Sequence, residues 1–243
     1  MAVPIKSCAL LRDPLYLQVC ELLARQIASG VWAPNASLPN ELELARDLGV
    51  SSGTVRKALE KLESDRLVVR RQGRGTFVVD QTTPEASSRF DRLRQTDGSR
   101  LVLRAKIIES SCGAPTPNEQ KALRLGPGEP VARKRRVLST SGRLFGLEDA
   151  CLALSRLPGL AAADLGDWCL TVLAQRHGVH ASRASERLRA VAAPQETAAI
   201  LSLKPGTTLL RLDRVISSTD HAPIEWRILS CELREEYYLA EVS

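Results

Sequence analysis

The sequence is poor in the features that mark an exported, membrane-spanning or metal-dependent protein. Its six cysteines (Cys8, Cys20, Cys112, Cys151, Cys169, Cys231) are scattered and form no C-x-x-C pair, which leaves neither a disulfide framework nor a zinc site to read. Cys20, Cys151 and Cys169 sit among apolar neighbours, so they are expected to be buried, reduced thiols. No apolar run approaches the roughly 20 residues that cross a bilayer. The stretch Met1 to Cys8 is too short and too mixed for a signal peptide, and a cytoplasmic, membrane-free protein is expected. Histidines number only three. His177 and His180 are spaced as two metal ligands could be, but a ready third ligand is missing, and a turn after a helix is the preferred reading. A glycine-rich nucleotide loop and a nucleophile motif are also lacking, so a cofactor is not expected and enzymatic chemistry is disfavoured.

What the chain does have is length for two modest domains and a local charge excess. It has 243 residues with a formal net charge of +6. Residues 51–79 carry 7 basic against 3 acidic side chains, while residues 107–243 are nearly balanced at 17 against 16. A basic patch of this kind is the footprint of a polyanion-binding surface, although a solvated basic surface would read the same way.

The patch falls on a recognisable local pattern. Tyr16, Val19, Leu23 and Ile27 form one apolar helical stripe that Gly30 stops. Asn40 with Glu43 makes a capping box for a short second helix with Leu44 and Leu48 inward, ended by Gly49. Ser51 caps a third helix that buries Val55, Leu59 and Leu62 and presents Ser52, Gly53, Arg56, Lys57 and Lys61 on the other face. Two short helices joined this tightly have the spacing of a helix-turn-helix, whose second helix enters the major groove. Two β-rich runs then flank Gln72-Gly73-Arg74-Gly75, a hairpin whose basic tip could reach the minor groove or its phosphates.

From Pro14 to Val79 the chain resembles the DNA-binding domain of the GntR family. The residues that carry the likeness are Pro14-Leu15-Tyr16, Leu38-Pro39 with Glu41, Leu44-Ala45, Leu48-Gly49-Val50-Ser51, Thr54-Val55-Arg56, Ala58-Leu59, Leu62 and Arg70 to Val78. The resemblance implies DNA contacts from Ser51, Thr54 and Arg56 and, on the wing, Gly73 and Arg74. Asn40, Ser52, Lys57 and Arg71 complete the candidate set. A solvated charge remains the alternative for Arg56, and a purely structural role the alternative for Thr54. Two departures stand out. The family's usual arginine is Ser52 here, followed by Gly53, and its usual basic residue after the helix-two glutamate is Leu42. An arginine can bond bidentately to guanine and serine cannot. The expectation is an operator half-site unlike the family's usual GT…AC, or a less stringent one.

Residues 81–98 read as a polar linker between a winged helix-turn-helix over 13–80 and a second domain over 99–243. In the second domain, strands are expected over 101–111, 131–139, 143–152, 181–192, 207–217 and 223–233. Helices are expected after the Thr116 to Glu119 capping box, over 165–177 with Leu165, Trp168, Cys169, Val172 and Leu173 inward, and over 194–201. The stretch from Leu123 to Val137 is echoed by Leu201 to Val215 at a constant offset of 78, and each copy leads into an apolar strand bearing an acid, Glu148 or Glu225. Two helix–hairpin units of this kind predict an antiparallel sheet with flanking helices and a cleft between the halves.

The order resembles the UTRA effector-binding domain of the HutC subgroup of GntR regulators, similar in fold to chorismate lyase. The stretches that carry this are Glu129-Pro130-Val131 to Val137, Leu157-Pro158-Gly159-Leu160, Lys204-Pro205-Gly206, Asp213-Arg214-Val215 and Ala222 to Glu225. The fold class expected is therefore α+β. The resemblance implies a small-molecule pocket lined by Arg136, Glu148, Trp168, Glu225 and Tyr237, a homodimer, and binding to a palindromic double-stranded operator. For Glu148 and Glu225 a buried ion pair with an arginine is an equal alternative. Members that bind phosphosugars carry a second arginine where Leu138 stands and Ser-Leu-Tyr where Trp168-Cys169-Leu170 stands. Losing a cation and hydroxyls while gaining an indole argues for a flatter, partly apolar effector such as a carboxylate. An enzyme, and a DNA-binding module that senses nothing, are the competing readings.

Overall fold

The structure, a computed structural model, describes residues 14–83, 89–157, 159–160 and 168–240. It divides after Gln81 into two compact units, each described here by itself.

The first unit is built by its caps. Helix α1 (Leu15–Ala28) stops two residues before Gly30, whose φ of +80° a glycine adopts without strain. Helix α2 (Glu41–Leu48) begins at Asn40, whose Oδ1 accepts from the amides of Leu42 and Glu43, while Glu43 accepts from the Asn40 amide; it ends on left-handed Gly49. Helix α3 (Ser52–Ser64) starts at Ser51, which caps the Thr54 amide. Val19, Leu23, Leu44, Val55, Leu59 and Leu62 interlock in one core with Leu67, Val68 and Val78. Strands β1 (Val68–Arg71) and β2 (Gly75–Val78) pair antiparallel. The stretch 35–38 adds backbone hydrogen bonds along β2, from the Leu38 amide to the Thr76 carbonyl and from the Val78 amide to the Ala36 carbonyl. This is a winged helix-turn-helix.

The second unit is a six-stranded antiparallel sheet of order β4-β5-β6-β9-β8-β7. Its strands are β4 (Arg104–Gly113), β5 (Val131–Thr140), β6 (Arg143–Ala153), β7 (Ala181–Ala192), β8 (Thr208–Ser218) and β9 (Pro223–Cys231). Helices α4 (Pro117–Leu123) and α6 (Gln195–Leu201) precede β5 and β8; α5 (Leu170–Arg176) precedes β7. The predicted duplication is visible in the sheet order, which runs outward from the central β6/β9 pair through the same elements on both sides. The offset of 78 carries α4 onto α6, left-handed Arg124 (φ 51°) onto Ser202 (φ 56°), and Gly128 (φ 82°) onto Gly206 (φ 84°). Each helix thus ends in the same turn before its hairpin. Where the halves meet, the strands come very close. A Cβ on Gly146 would lie 2.9 Å from Cys231 Cβ, Leu229 Cδ1 and the Ser230 carbonyl.

Alternation in β5 buries Ala132, Lys134, Arg136, Leu138 and Thr140 on one face. That face continues into two apolar clusters, one around Trp168, Leu173 and Ile216, the other around Leu93, Phe145 and Leu212. The opposite face packs Val131, Cys151 and Ala153 against Leu123 of α4, and Leu209 against Ala198 of α6.

Two expectations need correction. The segment read as linker over 81–98 carries a strand, β3 (Leu93–Arg94), that pairs with β10 (Tyr237–Tyr238). The periodicity of the segment was too short to reveal a two-residue strand whose partner lies so far along the chain. Cys169 is exposed, not inward, because it stands at the N-cap of α5, before the helical stripe begins; Cys112 is exposed on edge strand β4. Leu165 and the expected start of that helix lie outside the described residues.

Candidate functional site

In the first unit most of the candidate DNA-contacting residues are open to solvent. Arg56, Lys57, Arg71, Gly73 and Arg74 are exposed, and Ser52 and Thr54 partly so. Thr54 is held by its cap: its Oγ1 lies 2.9 Å from Ser51 Oγ. Asn40 is likewise occupied in capping α2. Arg56 is oriented from the neighbouring helix, with its Nε donating to Glu41 Oε2 at 3.0 Å. Arg70, outside the predicted contact set, buttresses the same corner by donating to Glu41 and to the Arg56 carbonyl at 3.2 Å. The i to i+15 spacing of Glu41 and Arg56 offers no periodic signal, so sequence alone could not join them. On the wing, the Arg71 guanidinium stacks 4.8 Å from the Phe77 ring centroid. The Arg74 amide closes the tip turn on the Arg71 carbonyl, and Gly73 takes φ +69°. Leu42, where a basic residue is usual, is 69% exposed.

In the second unit a cavity of about 280 Å³ opens over the buried face of the sheet. Its walls include Arg136, Leu138 and Glu148 from the first half, Arg214, Ile216 and Arg227 from the second, and Phe90, Asp91 and Trp168. It adjoins a cavity of about 150 Å³ that shares Asp91, Leu138, Glu148, Arg214 and Arg227. Arg136 and Glu148 face each other across β5/β6, and Arg136 Nε donates to Glu148 Oε1 at 2.8 Å. Arg227 reaches Glu148 at 3.5 Å and Glu225 at 2.8 Å. Burial would raise the Glu148 pKa, but Arg227 and Arg136 outweigh it and hold it below the ordinary carboxylate range. Burial also works against the Arg227 charge, yet Glu148 and Glu225 keep its pKa above the usual value. Trp168 is pinned from two sides. Its Nε1 donates to Glu225 at 2.8 Å, and Lys134 donates to its carbonyl while lying 4.0 Å from the ring centroid.

Arg136, Glu148 and Trp168 thus line the cavity. Glu225 is wholly buried behind Trp168 and Arg227. The ion-pair alternative is what the geometry displays for both acids. Tyr237 is exposed; its neighbour Tyr238 joins the network instead by donating to Glu186, which also accepts from Arg214. Burial first, then the Glu186 bond, pushes the Tyr238 pKa up to about 12. Successive residues of β10 take opposite faces, so a one-residue difference in register decides which tyrosine turns inward.

Two arginines escaped prediction. Arg214 is the copy of Arg136 at the offset of 78, a signal that was legible. Arg227 was hidden because the second hairpin turn is longer, with four residues between β8 and β9 against two between β5 and β6. The strand register therefore sets Arg227 opposite Arg214, in the place of Glu148 opposite Arg136. On the other sheet face a groove of about 230 Å³ holds Arg133 and Arg135, but each is engaged by a carboxylate within the fold, Glu119 at 2.6 Å and Asp149 at 2.7 Å. Among the described residues no group of three His, Cys, Asp or Glu side chains is placed to hold a metal, and no helix is long and apolar enough to cross a membrane.

Comparison with known proteins agrees with this geometry. Residues 15–78 match bacterial regulatory proteins of the gntR family and residues 98–233 match the UTRA domain. The HTH-type transcriptional repressor NagR of Bacillus subtilis is 31% identical over 213 residues, 83% of each chain. The histidine utilization repressor of Pseudomonas aeruginosa is 48% identical over 67 residues, 28% of this chain and 27% of that one. The crystal structure of PhnF from Mycobacterium smegmatis superposes with a TM-score of 0.54 at 25% identity, covering 93% of this chain and 99% of that one. With a winged helix-turn-helix followed by a UTRA domain, the chain belongs to the GntR family of bacterial transcriptional regulators.

Proposed function

We propose that this regulator binds a palindromic double-stranded operator as a homodimer in the cytoplasm, and that a small anionic effector in the second unit changes its operator affinity. The DNA-binding half of the reading is supported by an exposed basic surface, with Arg56 held by Glu41 and Arg74 at the wing tip. In this reading Ser51, Ser52, Thr54, Arg56 and Lys57 approach the major groove, while Arg71, Gly73 and Arg74 approach the minor groove or its phosphates. Asn40 fixes the start of α2.

The observation that carries the sensing half is the pair Arg214 and Arg227, facing each other in a cavity whose remaining wall is partly apolar. Guanidinium groups in such a setting suit a carboxylate. With Leu138 in place of a cation, the first half of the sheet offers little to a phosphate. Selection of bound duplexes from a random pool with the full chain would define the operator. Its affinity would then be measured with and without a panel of carboxylates and phosphosugars. A change in operator affinity with carboxylates supports the reading; a response to phosphosugars alone, or to nothing, defeats it.

A further inference from the structure

We propose that Asp91 is a built-in competitor for the effector: its carboxylate occupies the anion position beside Arg214 and Arg227, and an anionic effector acts by displacing it. The proposal rests on the ligand-sensing reading above.

The argument begins with which arginine has donors to spare. Arg136 spends both Nε and one Nη on a single Glu148 oxygen. Arg214 spends its Nε on Glu186 and turns an Nη toward Asp91 at 3.7 Å, beyond hydrogen-bond length. The Nε of Arg227 is buried and has no hydrogen-bond partner among the described residues, while the side chain as a whole is 17% exposed. A buried donor without an acceptor is costly, and an incoming carboxylate oxygen would satisfy it. The anion position therefore lies in the second half of the duplicated sheet, between β8 and β9.

Asp91 is the weakest link around that position. Its side chain is 58% exposed, and it borders both cavities. Its charge acts on Arg227 as well as Arg214. A loosely held, exposed carboxylate gains little from such a pair. A free carboxylate that sits squarely on both guanidinium groups gains more, because charge-assisted bonds strengthen as they shorten and align. The swap also has a direct mechanical outlet. Asp91 stands two residues before β3, in the opening segment of the second unit. Losing its hold on Arg214 removes one of the contacts that fasten this segment, beside the packing of Phe90 and the bond from the Leu239 amide to the Arg92 carbonyl.

The test uses the full chain with benzoate and succinate as probes, and follows their binding by calorimetry and amide exchange over residues 89–94. In Asp91→Asn, with its competitor removed, carboxylate affinity is expected to rise about fivefold, the ceiling set by an exposed ion pair. Exchange over 89–94 without any ligand should rise to the level that carboxylate produces in the wild type. Asp91→Glu, which keeps the charge, should remain near wild type. If the wild type binds a carboxylate and Asp91→Asn binds it no more tightly, the competitor is refuted while the sensing reading stands. If neither protein binds either probe, the sensing reading and the displacement fall together. Arg136→Met serves as a control, because loss of a carboxylate response there with Asp91→Asn unchanged would move the anion position to the first half and overturn the proposal.

Discussion

Replacing Glu119 by glutamine should destabilise the second unit by about 3 kcal/mol at neutral pH, and the loss should shrink as the solution is acidified. Glu119 is 7% exposed and accepts from Arg133 Nε at 2.6 Å, Arg133 Nη2 at 2.7 Å and the Thr116 amide at 2.7 Å. Burial alone would raise its pKa, but these donors reverse the effect and hold it at about 2, against an ordinary 4.5. At about 1.4 kcal/mol per tenfold change, the difference between those values corresponds to about 3 kcal/mol. A carboxylate with a depressed folded-state pKa stabilises fully above its unfolded value near 4.5. That contribution fades as pH falls toward 2, where the folded group also takes up its proton. By pH 3 less than half, about 1.4 kcal/mol, should remain. Urea unfolding of wild type and Glu119→Gln at pH 7 and pH 3, followed by the fluorescence of Trp168 and Trp226, measures both numbers. An equal gap at the two pH values would show that the ionised carboxylate contributes nothing, and would refute the assignment of the Glu119–Arg133 pair as the anchor of α4 on β5.

Other perturbations test other links. Ser52→Arg should tighten binding to duplexes carrying the GT…AC half-site by about 5- to 150-fold, from about 1–3 kcal/mol of guanine recognition; a titration showing no preference gained would place that helix position away from the base edges. Arg74→Ala should weaken operator binding with little change in sequence preference and lower the salt slope by about 1, as read from affinities across a salt series. Gly146→Ala should cost about 1–3 kcal/mol, since its methyl group meets a backbone carbonyl and two side chains where β6 and β9 join; an unchanged melting profile would mean that the strands part freely. Trp168→Phe should cost about 1.5–3 kcal/mol by withdrawing the indole donor from a fully buried Glu225, measured by the same unfolding assay.

Much of this was legible in the sequence because local rules decide it. Caps at Asn40, Ser51 and Thr116, stops at Gly30 and Gly49, and a repeat at constant offset belong to short windows, and the structure follows them closely. The reading failed where long-range pairing decides the outcome. Leu93–Arg94 pairs as a strand with Tyr237–Tyr238, far along the chain. Register, not composition, turns Tyr238 inward in place of Tyr237. Arg227 enters the cavity because one hairpin turn is longer than its twin, a difference that slides the acid of one copy onto a cation in the other. The buried acids needed their partners to be understood. Glu148 alone on an apolar strand fits a ligand contact or an ion pair equally, and its pairing with Arg136 and Arg227 is seen only in the structure.

The pairing of β3 with β10 also bears on how the protein comes into being. The winged unit is made of neighbours in sequence and can be complete once residues 14–79 have been synthesised. The second unit cannot be, because its first strand, bridged locally at Arg100, gains its pairing strand when residues 237–238 arrive. During translation a finished DNA-binding head therefore exists well before the segment that joins it to the sheet is fastened. A nascent or C-terminally clipped chain would carry the reading head without a secured connection to the sensor.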